Sequence, residues 1–206
     1  MSDPLSLTPK ELDALRETAS IGAGHAATAL SQMTNSRIMI SVPQITIASL
    51  EAVPQQIANA EEPIAAVMMQ MLGDLTGRSL LVFPRPTALR LAHLMLRRPQ
   101  APNAVFGELE QSAVKEAGNI LSGAYLNALS EFLGLMLLPS PPSLVVDMSA
   151  AVLSTAYAQF SSDRDLVFAV ETQFFFDDKD DHLRGFFLLL PDLASLRVIL
   201  RAIRVS

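Results

Sequence analysis

Cysteine is absent from all 206 residues, which excludes disulfides and thiolate chemistry. Three histidines, with no cysteine to help them, argue against a structural zinc site. No apolar run comes near the roughly 18 residues that cross a bilayer, and the longest candidates, GFFLLL and LGLMLL, end at prolines. The opening MSDPLSLTPKEL has neither a basic start nor the apolar core of a secretion signal. Basic excess is missing too. Fifteen Lys and Arg stand against 21 Asp and Glu, a formal charge of −6, whereas nucleic-acid phosphates require a basic face. Charged residues are only 17% of the chain and half of it is hydrophobic, so it is globular and not disordered. The simplest expectation is a soluble cytoplasmic protein with no membrane insertion and no nucleic-acid partner.

What is present is a duplication. ELDALRETASIGAGHAATALSQ, from Glu11, aligns with EQSAVKEAGNILSGAYLNALSE, from Glu110, at an offset of 99 residues without a gap. Glu17 falls on Glu116, Ile21 on Ile120 and Gly24 on Gly123; Ser41-Val42-Pro43 falls on Ser140-Pro141-Pro142. A unit this long is not a solenoid repeat, so two homologous halves, 1–100 and 101–206, are expected in a single domain, 1–206. The boundary is expected in RRPQAPNAVFG, residues 97–107.

Each half has one order of elements. The first helix opens on Thr8 as N-cap, Pro9 at the first helical position and Glu11 closing a capping box, with Leu12, Leu15, Ala19, Ala26 and Leu30 as its apolar side. RIMISVPQITIA follows, β-branched and broken by Pro43, which suits an edge or bulged strand. AAVMMQML, GDLTG and RSLLVF read as a hairpin, and PRPTALRLAHLMLRR as a helix. The second half repeats this with a helix over 108–133, a strand near 143–152, a hairpin over 165–190 with a charged turn, and a helix over 191–204. The expected fold is α/β in layers: a pseudo-twofold, duplicated helix–three strands–helix unit, making a six-stranded sheet with four main helices. Strands apolar on both faces require helices to cover the sheet.

The helix over 108–133 carries a polar stripe. At 100° per residue, Ser112, Glu116, Asn119 and Gly123 lie within about 60° of one another. A mid-helix glycine costs roughly 0.5–1 kcal/mol relative to alanine, so Gly123 calls for a steric purpose, such as close approach by another surface. Taken alone, such a stripe is an ordinary solvated face. The duplication argues otherwise. The first half holds Asp13, Glu17 and Gly24 at matching spacings, and 22 residues separate Asn119 from Pro142 as they separate Ser20 from Pro43.

The arrangement of Asp or Ser, three residues, Glu, two residues, Asn, 22 residues and Pro resembles the signature of the CheC family, whose relatives include CheX and FliY. The resemblance covers nearly the whole chain. It implies a phosphatase acting on phosphorylated CheY or a similar receiver domain. Ser112, Glu116, Asn119 and Pro142 match all four positions. Asp13, Glu17 and Pro43 match in the first half, but Ser20 stands where the family has Asn, so a weak or silent first site is expected. The receiver is implied to bring the aspartyl phosphate, a lysine and a bound Mg²⁺, so that this chain needs no metal or cofactor of its own. Asn119 would then orient the attacking water, since a carboxamide both accepts and donates. Glu116 would pair with the receiver's lysine, and Ser112 and Pro142 would shape the site.

A second reading stays open: a binding module, of receivers or of the deamidase CheD, that kept the fold and lost turnover. The FliM middle domain resembles this fold without the Glu/Asn pair. FliY is implied to carry a further C-terminal switch domain, not expected in a chain ending at Ser206. GAGHAA, residues 22–27, imitates a dinucleotide fingerprint but lies in a capped helix, where that fingerprint needs a preceding strand. His25 is read as a helix residue and not as a ligand. The Asp177–His182 run lacks the spacing and glycine of a calcium loop. Met68, Met69 and Met71 are read as core filling.

Overall fold

The computed structural model describes residues 8–49, 59, 61–99, 105–157, 166–176 and 182–205. The first helix, α1 (Pro9–Thr34), begins as its sequence requires: the Thr8 hydroxyl accepts from the Glu11 N–H, and the Glu11 carboxylate accepts from the Thr8 N–H. It ends on Asn35 in the left-handed region, φ 53°. Two short strands follow, β1 (Ile38–Ile40) and β2 (Gln44–Ser49), then β3 (Pro63–Gly73), β4 (Gly77–Pro84) and the helix α2 (Arg85–Met95). The second half gives α3 (Glu108–Leu133), β5 (Leu137–Pro139), β6 (Ser143–Met148), α4 (Ser149–Tyr157), β7 (Leu166–Phe176), β8 (His182–Pro191) and α5 (Leu193–Val205). Both bounds of α1, β1 and β2 recur in α3, β5 and β6 at the 99-residue offset of the sequence repeat.

The strands form one antiparallel sheet in the order β1-β7-β8-β4-β3-β5, with β2 continuing β1 along β7 and β6 continuing β5 along β3. The first two strands of each half therefore pair with the hairpin of the other half. Matched hydrogen bonds fix that exchange. The Ser41 N–H donates to the Gln173 carbonyl and the Ser140 N–H to the Gln70 carbonyl, both at 2.9 Å. The hairpins meet at the seam between β4 and β8.

Alternation along the strands feeds two cores. Ala65, Val67, Leu81, Phe83 and Phe187 point to the face covered by α1, α2, α3 and α5. Ile64, Ala66, Leu80, Val82, Phe186 and Leu188 point to the other face, where Val152 and Leu153 of α4 pack. Met69 and Met71 are buried and Met68 packs against the second core, as expected of core filling.

Two counts differ from the sequence expectation. The sheet has eight strands where six were expected, because RIMISVPQITIA is cut in two and, in the second half, β5 pairs ahead of the strand expected near 143–152. Pro43 and the Pro141-Pro142 pair have no N–H to give to the ladder, so pairing lapses between β1 and β2 and between β5 and β6. Each half thus supplies four strands. Helices number five among the described residues, against four. The segment near 143–152, read as strand, leaves the sheet at Met148, and SAAVLSTAY coils into α4, where alanine favours a helix. The charged 177–181 turn lies outside the described residues. Among the described residues, no helix is long and apolar enough to cross a membrane.

Candidate active site

The stripe of interest belongs to α3, and the helix is built to hold it rigidly. Glu110 returns its carboxylate to the Gly107 N–H at 3.1 Å, and two acids, Glu108 and Glu110, occupy the first turn, where the helix dipole favours negative charge. At the far end Gly134 takes a left-handed φ of 63° and stops the helix. Ala113, Val114, Ala117, Gly118, Leu121 and Leu126 form the buried side.

Two glycines set how closely α3 packs. A Cβ on Gly118 would lie 2.6 Å from Val67 Cγ2, so the helix backbone presses onto β3. A Cβ on Gly22 of α1 would come within 3.0 Å of the Tyr125 Cα, which locks α1 against α3. Tyr125 completes the anchorage. Its ring stacks on Phe187, with centroids 4.9 Å apart, and its hydroxyl lies 2.8 Å from Thr172 Oγ1 in β7. Burial pushes the Tyr125 phenol up to about 12, against the smaller opposing effect of the Thr172 hydrogen bond.

The opposite side of α3 is open. Ser112 and Glu116 are exposed; Asn119 and Gly123 are half-buried. Neither Glu116 nor Asn119 has a hydrogen-bond or ion-pair partner among the described residues. A Cβ on Gly123 would meet nothing within 4 Å, so no neighbour inside the chain requires this glycine. The structural glycines are Gly22 and Gly118, which the sequence reading did not single out. Their signal was a small residue facing the buried side of each helix. Pro142 is half-buried in the break between β5 and β6, two strands against which α3 packs.

The first-half counterparts lie on α1. Asp13, Glu17 and Gly24 are exposed, Ser20 is half-buried and Pro43 is buried. The Ser20 hydroxyl donates to the Arg16 carbonyl at 2.8 Å, one turn back along its own helix. His25 is exposed in the middle of α1, and no strand leads into GAGHAA. No group of three or more metal-ligating side chains occurs among the described residues.

Known proteins resemble the chain in both halves. A family model described as the CheC-like family matches residues 11–47 and 109–146, which span both stripes and both motif prolines. The CheY-P phosphatase CheC of Bacillus subtilis (strain 168) is 32% identical over 199 residues, 96% of this chain and 95% of that protein. The flagellar motor switch phosphatase FliY of the same organism is 31% identical over 139 residues, 66% of this chain but 35% of FliY. The crystal structure of Thermotoga maritima FliY shares the fold, with a TM-score of 0.78 at 23% identity, covering 97% of this chain and 98% of that one.

Proposed function

This chain belongs to the CheC-like family, and from that premise we propose that it is a phosphatase of phosphorylated CheY or a similar receiver, hydrolysing the receiver's aspartyl phosphate. The observation that carries this reading is the pair Glu116 and Asn119, one turn apart on the outward side of α3 with no partner among the described residues. A buried pair would be out of any partner's reach.

The chemistry needs little from this chain beyond positioning. The Asn119 amide oxygen accepts from a water and its NH₂ donates to the acyl phosphate, so the water's oxygen is held in line with phosphorus. A P–O bond forms to the water as the bond to the aspartyl oxygen breaks. The aspartate leaves as a carboxylate, and the water's proton passes to the phosphate. Glu116 accepts a charge-assisted hydrogen bond from the receiver's lysine, worth on the order of 1.5–3 kcal/mol. The divalent cation belongs to the receiver. A thousandfold acceleration requires only about 4 kcal/mol, so two well-placed side chains suffice. Ser112 and Pro142 shape the approach, and the bare backbone at Gly123 admits the receiver's surface.

On α1 the same reading gives a silent ridge. The Ser20 hydroxyl is shorter than a carboxamide, and its proton is already given to Arg16.

The test is phosphate release from a receiver charged with acetyl phosphate, with and without this protein, with binding measured in parallel. Accelerated release is expected. Binding without acceleration would move the chain to the adaptor reading.

A further inference from the structure

Helix α3 leaves one large apolar side chain exposed: Leu109, in the first turn, at 47%. Leu109 is apart from the buried side, which runs through Ala113, Val114, Ala117 and Leu121. Its place is on the polar stripe. Seven residues, two turns, separate it from Glu116, so at 100° per residue the two lie about 20° apart. At 1.5 Å per residue, Leu109 stands about 10 Å from Glu116 and about 15 Å from Asn119 along the helix axis. Glu108, which precedes it, is exposed, whereas the Glu110 carboxylate is turned to the Gly107 N–H and to Arg98.

The duplicated frame shows that the fold does not ask for leucine here. At the 99-residue offset Leu109 falls on Lys10 of α1, likewise exposed in the first turn of a 26-residue helix. A lysine therefore serves at the start of such a helix. A lone exposed leucine is ordinary on a protein surface; this one is set apart by standing in line with Glu116 and Asn119, the pair without partners among the described residues. Helix α1 exposes an apolar side chain of its own, Ile21, at 48%, whose twin Ile120 packs half-buried against the core. Ile21 is thus a matched control on the silent ridge.

We propose that Leu109 is a docking residue for the receiver, covering an apolar side chain on the receiver's surface outside its phosphorylated pocket. The proposal rests on the phosphatase reading: when Glu116 and Asn119 enter that pocket, Leu109, two turns back on the same ridge, meets the surface beside it. Glu108 fits a basic rim around the apolar contact on the receiver. At its distance from Asn119, Leu109 cannot touch the reacting atoms, so it acts on binding and not on turnover. A truncated apolar anchor at a desolvated contact commonly weakens binding tenfold or more.

Binding is measured by titrating the full chain with CheY charged with beryllium trifluoride and Mg²⁺, and turnover by phosphate release from CheY charged with acetyl phosphate. Leu109→Lys, which places the residue of α1 on α3, is expected to raise Kd and KM about tenfold while kcat stays within about twofold. Leu109→Met keeps an apolar side chain and is expected to hold both constants within about twofold of the unaltered chain. Ile21→Lys, the same change on the other ridge, is expected to alter neither. Unchanged Kd and KM in Leu109→Lys, a fall in its kcat alone, or an equal loss from Ile21→Lys overturns the proposal and leaves the phosphatase reading standing. Binding by the unaltered chain without faster release overturns the phosphatase reading, and the tenfold change in Kd then supports the docking role or, by its absence, overturns it. No binding of charged CheY by the unaltered chain overturns both.

Discussion

Helices α1 and α3 are each 26 residues long, stand 99 residues apart, and lead into strands that repeat at that same offset. Each presents an exposed glutamate, Glu17 or Glu116, and a glycine two turns on whose missing Cβ would touch nothing. They part at the residue three positions after the glutamate. On α3 the Asn119 carboxamide has no partner among the described residues, whereas on α1 the Ser20 hydroxyl is bonded to its own backbone. Two helices can therefore keep the same backbone geometry while their chemistry separates. The sheet's alternation and the glycine contacts hold the shape in both halves, and under the proposed function a single side chain would decide which ridge can hold a water.

Charge reversal at the open ridge tests this contrast most severely. Glu116→Lys sets a like charge against the receiver's lysine, a clash of several kcal/mol, and kcat/KM for phosphate release is expected to fall about 100-fold or more. Glu17→Lys on α1 should leave that rate nearly unchanged. Next come the glycines. Gly118→Ala forces a Cβ to 2.6 Å from Val67 and is expected to cost about 1–3 kcal/mol in denaturant unfolding. Gly123→Ala, with open space around it, should gain about 0.5–1 kcal/mol of stability while lowering phosphate release, because the methyl meets the receiver and not the fold. The smallest effect sharpens the comparison from the other side. Ser20→Asn restores the missing amide on α1, and a rise of about twofold in phosphate release is expected, as from one added site.

Much of the fold could be read in the chain. The Thr8 cap, the bounds of α3 and the repeat follow from local chemistry: hydroxyl and carboxylate caps, an apolar period of 3.6, and identical residues at a fixed offset. The strand and helix counts were less legible. A proline in a β-branched run reads as a bulge, but pairing to one long partner strand turns it into two strands, and that partner is distant in sequence. SAAVLSTAY is apolar enough to pass for strand; only its place after the end of β6 reveals the helix. The exposed stripe on α3 was legible from periodicity. What Gly123 does not pack against was not, because absence of a neighbour depends on the whole fold.

Phosphate release measured side by side for Asn119→Ala and Ser20→Ala addresses the central claim directly. Asn119→Ala is expected to slow hydrolysis about 100-fold or more, as losing one well-placed polar group does in other hydrolytic sites, while Ser20→Ala stays within about twofold of the unaltered chain. Equal losses from the two substitutions, or none from Asn119→Ala in a folded and receiver-binding protein, would contradict it.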